Sequence, residues 1–282
     1  MNTDKSGISV LIRTLNSGRT LDQVMAALPL REGDEFLVVD SGSTDHTLAI
    51  AERRGARVIR PEGPFNYSKA LNVGFAAARN PWVLVLSSHC IPGSAEMLNR
   101  LRIAAASSAA TVAVIYGQSA LCEPSVPDAA PECIDSARWE KTRCPPGGNG
   151  LALYRRVCWE EHPFDEKLAT SEDLEWFLWA MGRGYSVLRV PQAWALYRNQ
   201  GSLPHMFQKG RLEYIQAREM MNPSEPPLGQ TALLGNLLLY IGSLWKKLLL
   251  GRIPSGTCLR QIAHALGAYA AGVEISKRGK AP

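Results

Sequence analysis

Short apolar runs alternate with amphipathic stretches through the first two hundred residues. Ile8 to Ile12, Phe36 to Val39, Val58-Ile59 and Trp82 to Leu86 read as strands, the last of them buried on both faces. The first, second and fourth stop abruptly at polar residues: Arg13-Thr14-Leu15-Asn16, Asp40-Ser41-Gly42-Ser43-Thr44-Asp45 and Ser87-Ser88-His89. Between them the pattern predicts helices. One is capped by Thr20 and runs to about Leu28. A second has Ser43 as its N-cap and Asp45 in its first turn. A third spans Ser68 to Arg79, with Ala70, Leu71, Gly74, Phe75 and Ala78 on one side. Strands alternating with helices imply right-handed βαβ units and a largely parallel sheet. In such sheets ligands gather at the carboxyl ends of the strands, where these polar segments lie.

The pattern then changes. Leu121 to Pro146 is rich in Pro and small residues and reads as a long surface excursion near the active site. Order resumes at Gly147-Gly148-Asn149-Gly150 and the apolar Leu151 to Tyr154. Thr170-Ser171-Glu172-Asp173 opens a helix whose apolar face is Leu174, Phe177, Leu178 and Met181, closed by Gly182 and Gly184. On residue pattern alone Thr170 to Asp173 is a capping box. Tyr185 to Val190 predicts another strand. Thr231 to Trp245 is almost wholly apolar, too short as one run for a bilayer span, and is followed by Lys246-Lys247. A second helical segment, about Leu259 to Ile275, presents Ile262, Leu266, Tyr269, Ala270 and Val273 on one face. We divide the chain at 1–228 and 229–282, the second part an amphipathic helical extension.

Composition sharpens this division. The chain has 282 residues, 46% hydrophobic and 20% charged, with net charge +5, which is globular rather than disordered. Residues 231–282 hold seven Lys and Arg against Glu274 alone, so the excess charge sits in the apolar tail. Apolar helices with basic margins suit in-plane membrane association; packing on a partner chain as a homodimer is the competing use. Basic residues in an apolar tail, rather than along a groove with exposed aromatics, argue against nucleic acid. The six cysteines show no CxxC pair and no zinc spacing. The amino terminus shows no signal-peptide pattern, so we expect free thiols and a cytoplasmic location, peripheral at the inner face of the membrane.

Taken in order, Ile8 to Asn16, Val38 to Asp45, Ala70-Leu71-Asn72-Val73-Gly74, Leu86 to His89, Phe164 to Leu168 and Ser171-Glu172-Asp173 resemble family 2 glycosyltransferases. The resemblance covers roughly residues 7 to 200. It implies an α/β GT-A fold, Rossmann-like, with a mostly parallel sheet flanked by helices. It also implies an inverting transferase using a nucleotide-diphosphate sugar, acting on a saccharide or lipid-linked acceptor in cell-envelope or exopolysaccharide assembly.

The same resemblance assigns roles. Thr14, Asn16 and Asp40 would hold base and ribose, Asp40 having an Asx turn as its alternative. Ser41 stands where family members often carry a second acid. Lys69 and Asn72 would face the diphosphate. Ser87-Ser88-His89 occupies the place of the family's acidic metal motif, with Ser87 and Ser88 at the nucleotide sugar and His89 left as the ligand for Mn2+ or Mg2+; imidazole suits manganese or zinc better than magnesium. The family's later metal-binding His is matched by Tyr197, with His205 out of register. Asp173 would be the general base, with Glu172 beside it. On residue type alone, Gly148 lets the chain approach an acceptor sugar and Asn149 can donate to and accept from its hydroxyls, a tight turn being the alternative. Trp159, Trp176, Trp179 and Trp194 are core or sugar-stacking residues, and His46 and His162 read as surface. Alternatives are a transferase with a soluble or protein acceptor, and a degenerate GT-A domain that binds nucleotide or glycan without turnover.

Overall fold

The computed structural model describes residues 7–124, 129–142, 147–198, 201–221 and 230–278. The chain opens with β1 (Ile8–Thr14), α1 (Leu21–Ala26), β2 (Glu35–Asp40), α2 (Thr47–Arg53), β3 (Arg57–Ile59), α3 (Tyr67–Ala77) and β4 (Trp82–Ser87). After a tight turn follow β5 (Cys90–Pro92), α4 (Met97–Ser107), β6 (Val112–Ala120), β7 (Glu132–Ile134) and α5 (Ser136–Thr142). Then come β8 (Leu151–Arg155), α6 (Arg156–Glu161), α7 (Glu172–Gly182) and β9 (Ser186–Tyr197), and finally α8 (Leu203–Met221), α9 (Gln230–Leu249) and α10 (Ser255–Arg278).

One sheet runs β3-β2-β1-β4-β8-β6-β9-β5, with β7 added on β9. The apolar runs explain its centre, since Val10, Leu11, Ile12, Val38 and Leu84 have no exposed surface. Alternate residues serve opposite faces. Ile8, Val10 and Ile12 join α1 and α4 residues in one core. The other face carries an aromatic cluster of Phe75, Tyr154, Phe164 and Trp176. The register sets Thr14 beside Asp40 and Arg13 beside Ser87, so the polar strand ends meet at one edge of the sheet.

Several expectations are corrected. The sheet is parallel only among β3, β2, β1 and β4 and between β6 and β9; β8 enters reversed between β4 and β6, and β5 and β7 lie antiparallel to β9. The excursion from Leu121 contains β7 and α5, while 125–128 and 143–146 lie outside the described residues. The helix expected from Ser43 starts at Thr47 instead, because the Asp45 carboxylate accepts the Thr47 N–H at 2.9 Å and Ser43 is bound elsewhere. The capping box at Thr170 gives way to a helix that begins at Glu172 after Ser171 at φ 59°.

By its contacts the chain forms two compact units, 1–168 with 172–198 and 169–171 with 199–282. α8 therefore belongs with α9 and α10, ahead of the division drawn at 229. Within the second unit α8 and α10 cross closely, Gly210 against the His264 carbonyl and Gly267 against that of Phe207. Their side chains are tied by His264 to Glu213 at 2.8 Å. α9 packs on α10 with Leu233 against Gly272, Leu233 and Leu244 are both buried, and Tyr240 donates to Gln261 at 3.0 Å. Its other face leaves Leu234, Leu238, Leu239, Trp245 and Leu249 exposed.

Candidate active site

Two aspartates at the strand-end edge have opposite surroundings. Asp40, 1% exposed, ends β2. Its Oδ1 accepts from the Thr14 hydroxyl at 2.9 Å and the Ser43 hydroxyl at 2.5 Å. Its Oδ2 accepts the backbone N–H of Gly42 at 3.1 Å and of Ser43 at 2.9 Å. A carboxylate offers about four acceptor positions, and all four are taken. Burial alone would raise its pKa, but these bonds from Ser43, Thr14 and Gly42 hold it below the ordinary value. Asp40 thus staples its own loop while also lining the cavity beside it, so the Asx-turn role is observed and a contact to base or ribose would add to it. Asn16, at φ 49°, completes the loop: its N–H donates to the Ser43 oxygen at 2.8 Å and its Oδ1 accepts the Thr44 N–H at 2.8 Å.

Beside the loop lies a cavity of about 290 Å³ whose lining includes Ser41, Arg60, Phe65, Asn66 and Lys69. Asn66 caps α3 by accepting the Lys69 N–H at 2.9 Å, and the Lys69 ammonium donates to the Glu62 carbonyl at 2.6 Å. Ser41 and Lys69 line this cavity. Arg60 and Phe65 were missed: the sequence signal was a cation and an aromatic flanking the Gly63-Pro64 turn. Asn72 does not face it. Its amide oxygen accepts from Trp159 Nε1 and the Phe164 N–H, both at 3.0 Å, and its nitrogen donates to Phe164 and Glu166 at 2.9 Å. It bolts α3 to the 159–166 segment.

Asp173 sits in the first turn of α7. Its Oδ2 accepts the Asn149 N–H at 3.0 Å and its Oδ1 the Leu174 N–H at 2.9 Å. Burial, then the charge of Glu172 beside it, pushes its pKa up to about 6; the two N–H bonds and Arg13 oppose the rise. A Cβ at position 148 would lie 2.6 Å from Asp173 Oδ2, so only glycine lets the loop close on this carboxylate. Glu172 is 5% exposed. It pairs with Arg13 at 3.0 Å and accepts from the Asn149 amide at 3.1 Å. Tyr154 donates to the Asn149 amide oxygen at 2.7 Å. Asn149 is 4% exposed, so it links the acid pair to the strand instead of meeting an acceptor sugar.

The turn after β4 is mixed. Ser87 donates to the Asn149 carbonyl at 3.2 Å. Ser88 is buried against the Ser17 hydroxyl at 2.8 Å. The His89 ring meets Tyr197 edge-on at 4.9 Å, so the two positions matched to the family's metal ligands do converge. Among the described residues no three His, Cys, Asp or Glu side chains cluster as a metal cage. This donor set fits a cation only as a shared site, with His89 one ligand and the remainder brought by diphosphate and water. Trp176 is fully buried core, and His162 stacks on Trp179 at 4.6 Å and pairs with Glu175 at 3.0 Å.

The model described as glycosyl transferase family 2 matches residues 9–156. The chain belongs to glycosyltransferase family 2. Uncharacterized glycosyltransferases of Mycobacterium tuberculosis and Mycobacterium bovis are 38% identical over 81 residues, 29% of this chain and 36% of theirs. The chain thus matches about a third of the length of these relatives. Glucosyl-3-phosphoglycerate synthase from Mycobacterium tuberculosis superposes with TM-score 0.58 at 20% identity, over 80% of this chain and 83% of that one. The same enzyme was solved with Mn2+, uridine diphosphate and glucosyl-3-phosphoglycerate. A Pyrobaculum calidifontis mannosyltransferase with GDP-mannose and Mn2+ gives TM-score 0.56 at 15% identity, over 98% of this chain and 76% of that one. These neighbours establish the GT-A fold of the family 2 member described here.

Proposed function

We propose that this family 2 member is an inverting transferase that moves a sugar from a nucleoside-diphosphate sugar to an acceptor hydroxyl. The observation that carries the reading is Asp173, a carboxylate tied by two N–H groups and raised to about 6. A base titrating near 6 is ionised at neutral pH and still takes a proton readily. The acceptor oxygen attacks the anomeric carbon and its proton passes to Asp173. The bond from that carbon to the diphosphate oxygen breaks, and the nucleoside diphosphate leaves with the electron pair. Attack from the face opposite the leaving group inverts the anomeric centre.

The nucleoside fits the cavity edged by Ser41, Arg60, Phe65 and Lys69, with the two cations drawing the diphosphate. A divalent ion, Mn2+ or Mg2+, would be held by His89 and the diphosphate and would offset charge on the leaving group. Calorimetric titration with UDP, GDP and dTDP, each with Mn2+ and with chelator, tests the donor half. One nucleotide binding more tightly with Mn2+ supports it, and binding of none refutes it. The anomeric configuration of the product, read by proton NMR, decides inversion against retention.

For the acceptor we favour a lipid-linked or growing saccharide at an anionic membrane surface. α9 is 20 residues long and apolar enough to span a bilayer, yet Leu233 and Leu244 are buried within its own unit. In-plane contact through Leu234, Leu238, Trp245 and Leu249 keeps that packing. From Gln230 to Val273 there are Lys246, Lys247, Arg252 and Arg260 and no acid, which complements anionic headgroups. Co-sedimentation with phosphatidylglycerol vesicles should be strong and should fall in Lys246→Gln/Lys247→Gln. A stable dimer indifferent to vesicles would refute it.

A further inference from the structure

Resting on Asp173 as the base, a second carboxylate beside it needs a role. Glu172 lies on the same first turn, but both of its polar neighbours come from elsewhere. Arg13, from the end of β1, reaches it at 3.0 Å, with side chains 14% and 6% exposed. Asn149, before β8, reaches it at 3.1 Å. Arg13 is itself held over the Tyr67 ring at 5.1 Å, and Asn149 by the Tyr154 hydroxyl at 2.7 Å. Asn149 also donates its backbone N–H to Asp173, so one residue fixes both acids. We propose that Arg13 and Asn149 clamp Glu172 as a fixed anion beside Asp173, making Glu172 a positioning residue and not a second base.

Among the described residues, the charged and titratable groups that act most on Asp173 are Glu172 on α7 and Arg13 on β1, with Tyr116 on β6 and Tyr154 on β8 also facing it. Both tyrosines are fully buried and burial pushes their pKa up, so they stay neutral near pH 7. The balance around the base is therefore set by one anion and one cation. Removing either has opposite consequences, because the anion raises the Asp173 midpoint and the cation lowers it. Opposed shifts report the two charges; transfer retained in Glu172→Gln beside transfer lost in Asp173→Asn separates a positioning anion from a second base.

The test is a carbon-13 NMR titration of the Asp173 carboxyl in the full chain, with steady-state consumption of UDP-glucose or GDP-mannose alongside. Glu172→Gln should lower the midpoint from about 6 toward the ordinary aspartate value. Arg13→Gln should raise it, and Arg13→Lys should keep it near wild type. Arg13→Gln leaves a buried carboxylate unpaired and is the variant at risk of unfolding. The double variant Arg13→Gln/Glu172→Gln removes both charges, should fold, and should titrate between the two single variants. Glu172→Gln should lose less transfer than Asp173→Asn. Shifts in one direction only, or unmoved midpoints with Glu172→Gln as inactive as Asp173→Asn, would overturn the clamp. Wild-type transfer by Asp173→Asn would overturn the base assignment instead, leaving the midpoints as stated.

Discussion

Asp40 and Asp173 are the same side chain at one edge of the sheet, and the protein turns them to different ends. Asp40 receives four hydrogen bonds from its own loop and Thr14, and its pKa is held down. Asp173 receives two, both from backbone N–H groups, and has Glu172 beside it; its pKa rises to about 6. Burial opposes ionisation in both. The number of donors and the nearest charge decide whether a buried carboxylate becomes a staple or a base.

The largest effect that would break this contrast is on rate. Asp173→Asn should cost about 10²- to 10⁴-fold in transfer while leaving the fold intact. A base raised in the folded state is also a stability cost at neutral pH. Its folded value lies above the unfolded one, so its contribution is full below about 3.8 and is lost as pH rises through about 6. Asp173→Asn should therefore melt higher than wild type at pH 7 and lose that advantage near pH 4, by thermal denaturation at the two pH values.

Asp40→Asn should do the reverse. It places an amide NH2 toward donors, or leaves two of them unsatisfied, and should cost about 1–3 kcal/mol of stability. Asp40 has a depressed pKa, so its stabilisation is present above the ordinary value of 3.8 and fades as pH falls through its folded one. The gap in melting temperature between wild type and Asp40→Asn should then be wide at pH 7 and narrow at low pH. A smaller effect comes from Gly148→Ala, whose Cβ would press on Asp173 Oδ2. Displacing the base should slow transfer about 10-fold with little change in donor affinity, by comparing kcat with calorimetric binding.

Much of this edge was legible from residue order. The apolar runs that became β1, β2 and β4 are buried on both faces, which requires uninterrupted hydrophobicity, and their polar ends fall where the register brings them together. Ser41 and Lys69, expected at the nucleotide site, line the cavity. What was not legible is where side chains spend their hydrogen bonds. Asp40, Asn72 and Asn149 are residue types that bind ligands or bind backbone, and only the partners at hand decide: Asn72 and Asn149 bind the protein, and Asp40 binds its own loop while lining the cavity. Arg13 carried a signal that went unused. A cation ending a strand buried on both faces needs an anion, and Glu172 lies 159 residues away. The antiparallel β8 and the helix α6 were also not foreseen, since short apolar runs carry no direction.

The most direct test of the contrast is a carbon-13 titration of the aspartate carboxyls in the full chain, with Asp40 and Asp173 assigned by their Asn variants. The account predicts Asp173 with a midpoint near 6 and Asp40 below the ordinary aspartate value. Asp173 titrating together with Asp40 in the low range would contradict it, because no environment would then distinguish the base from the staple.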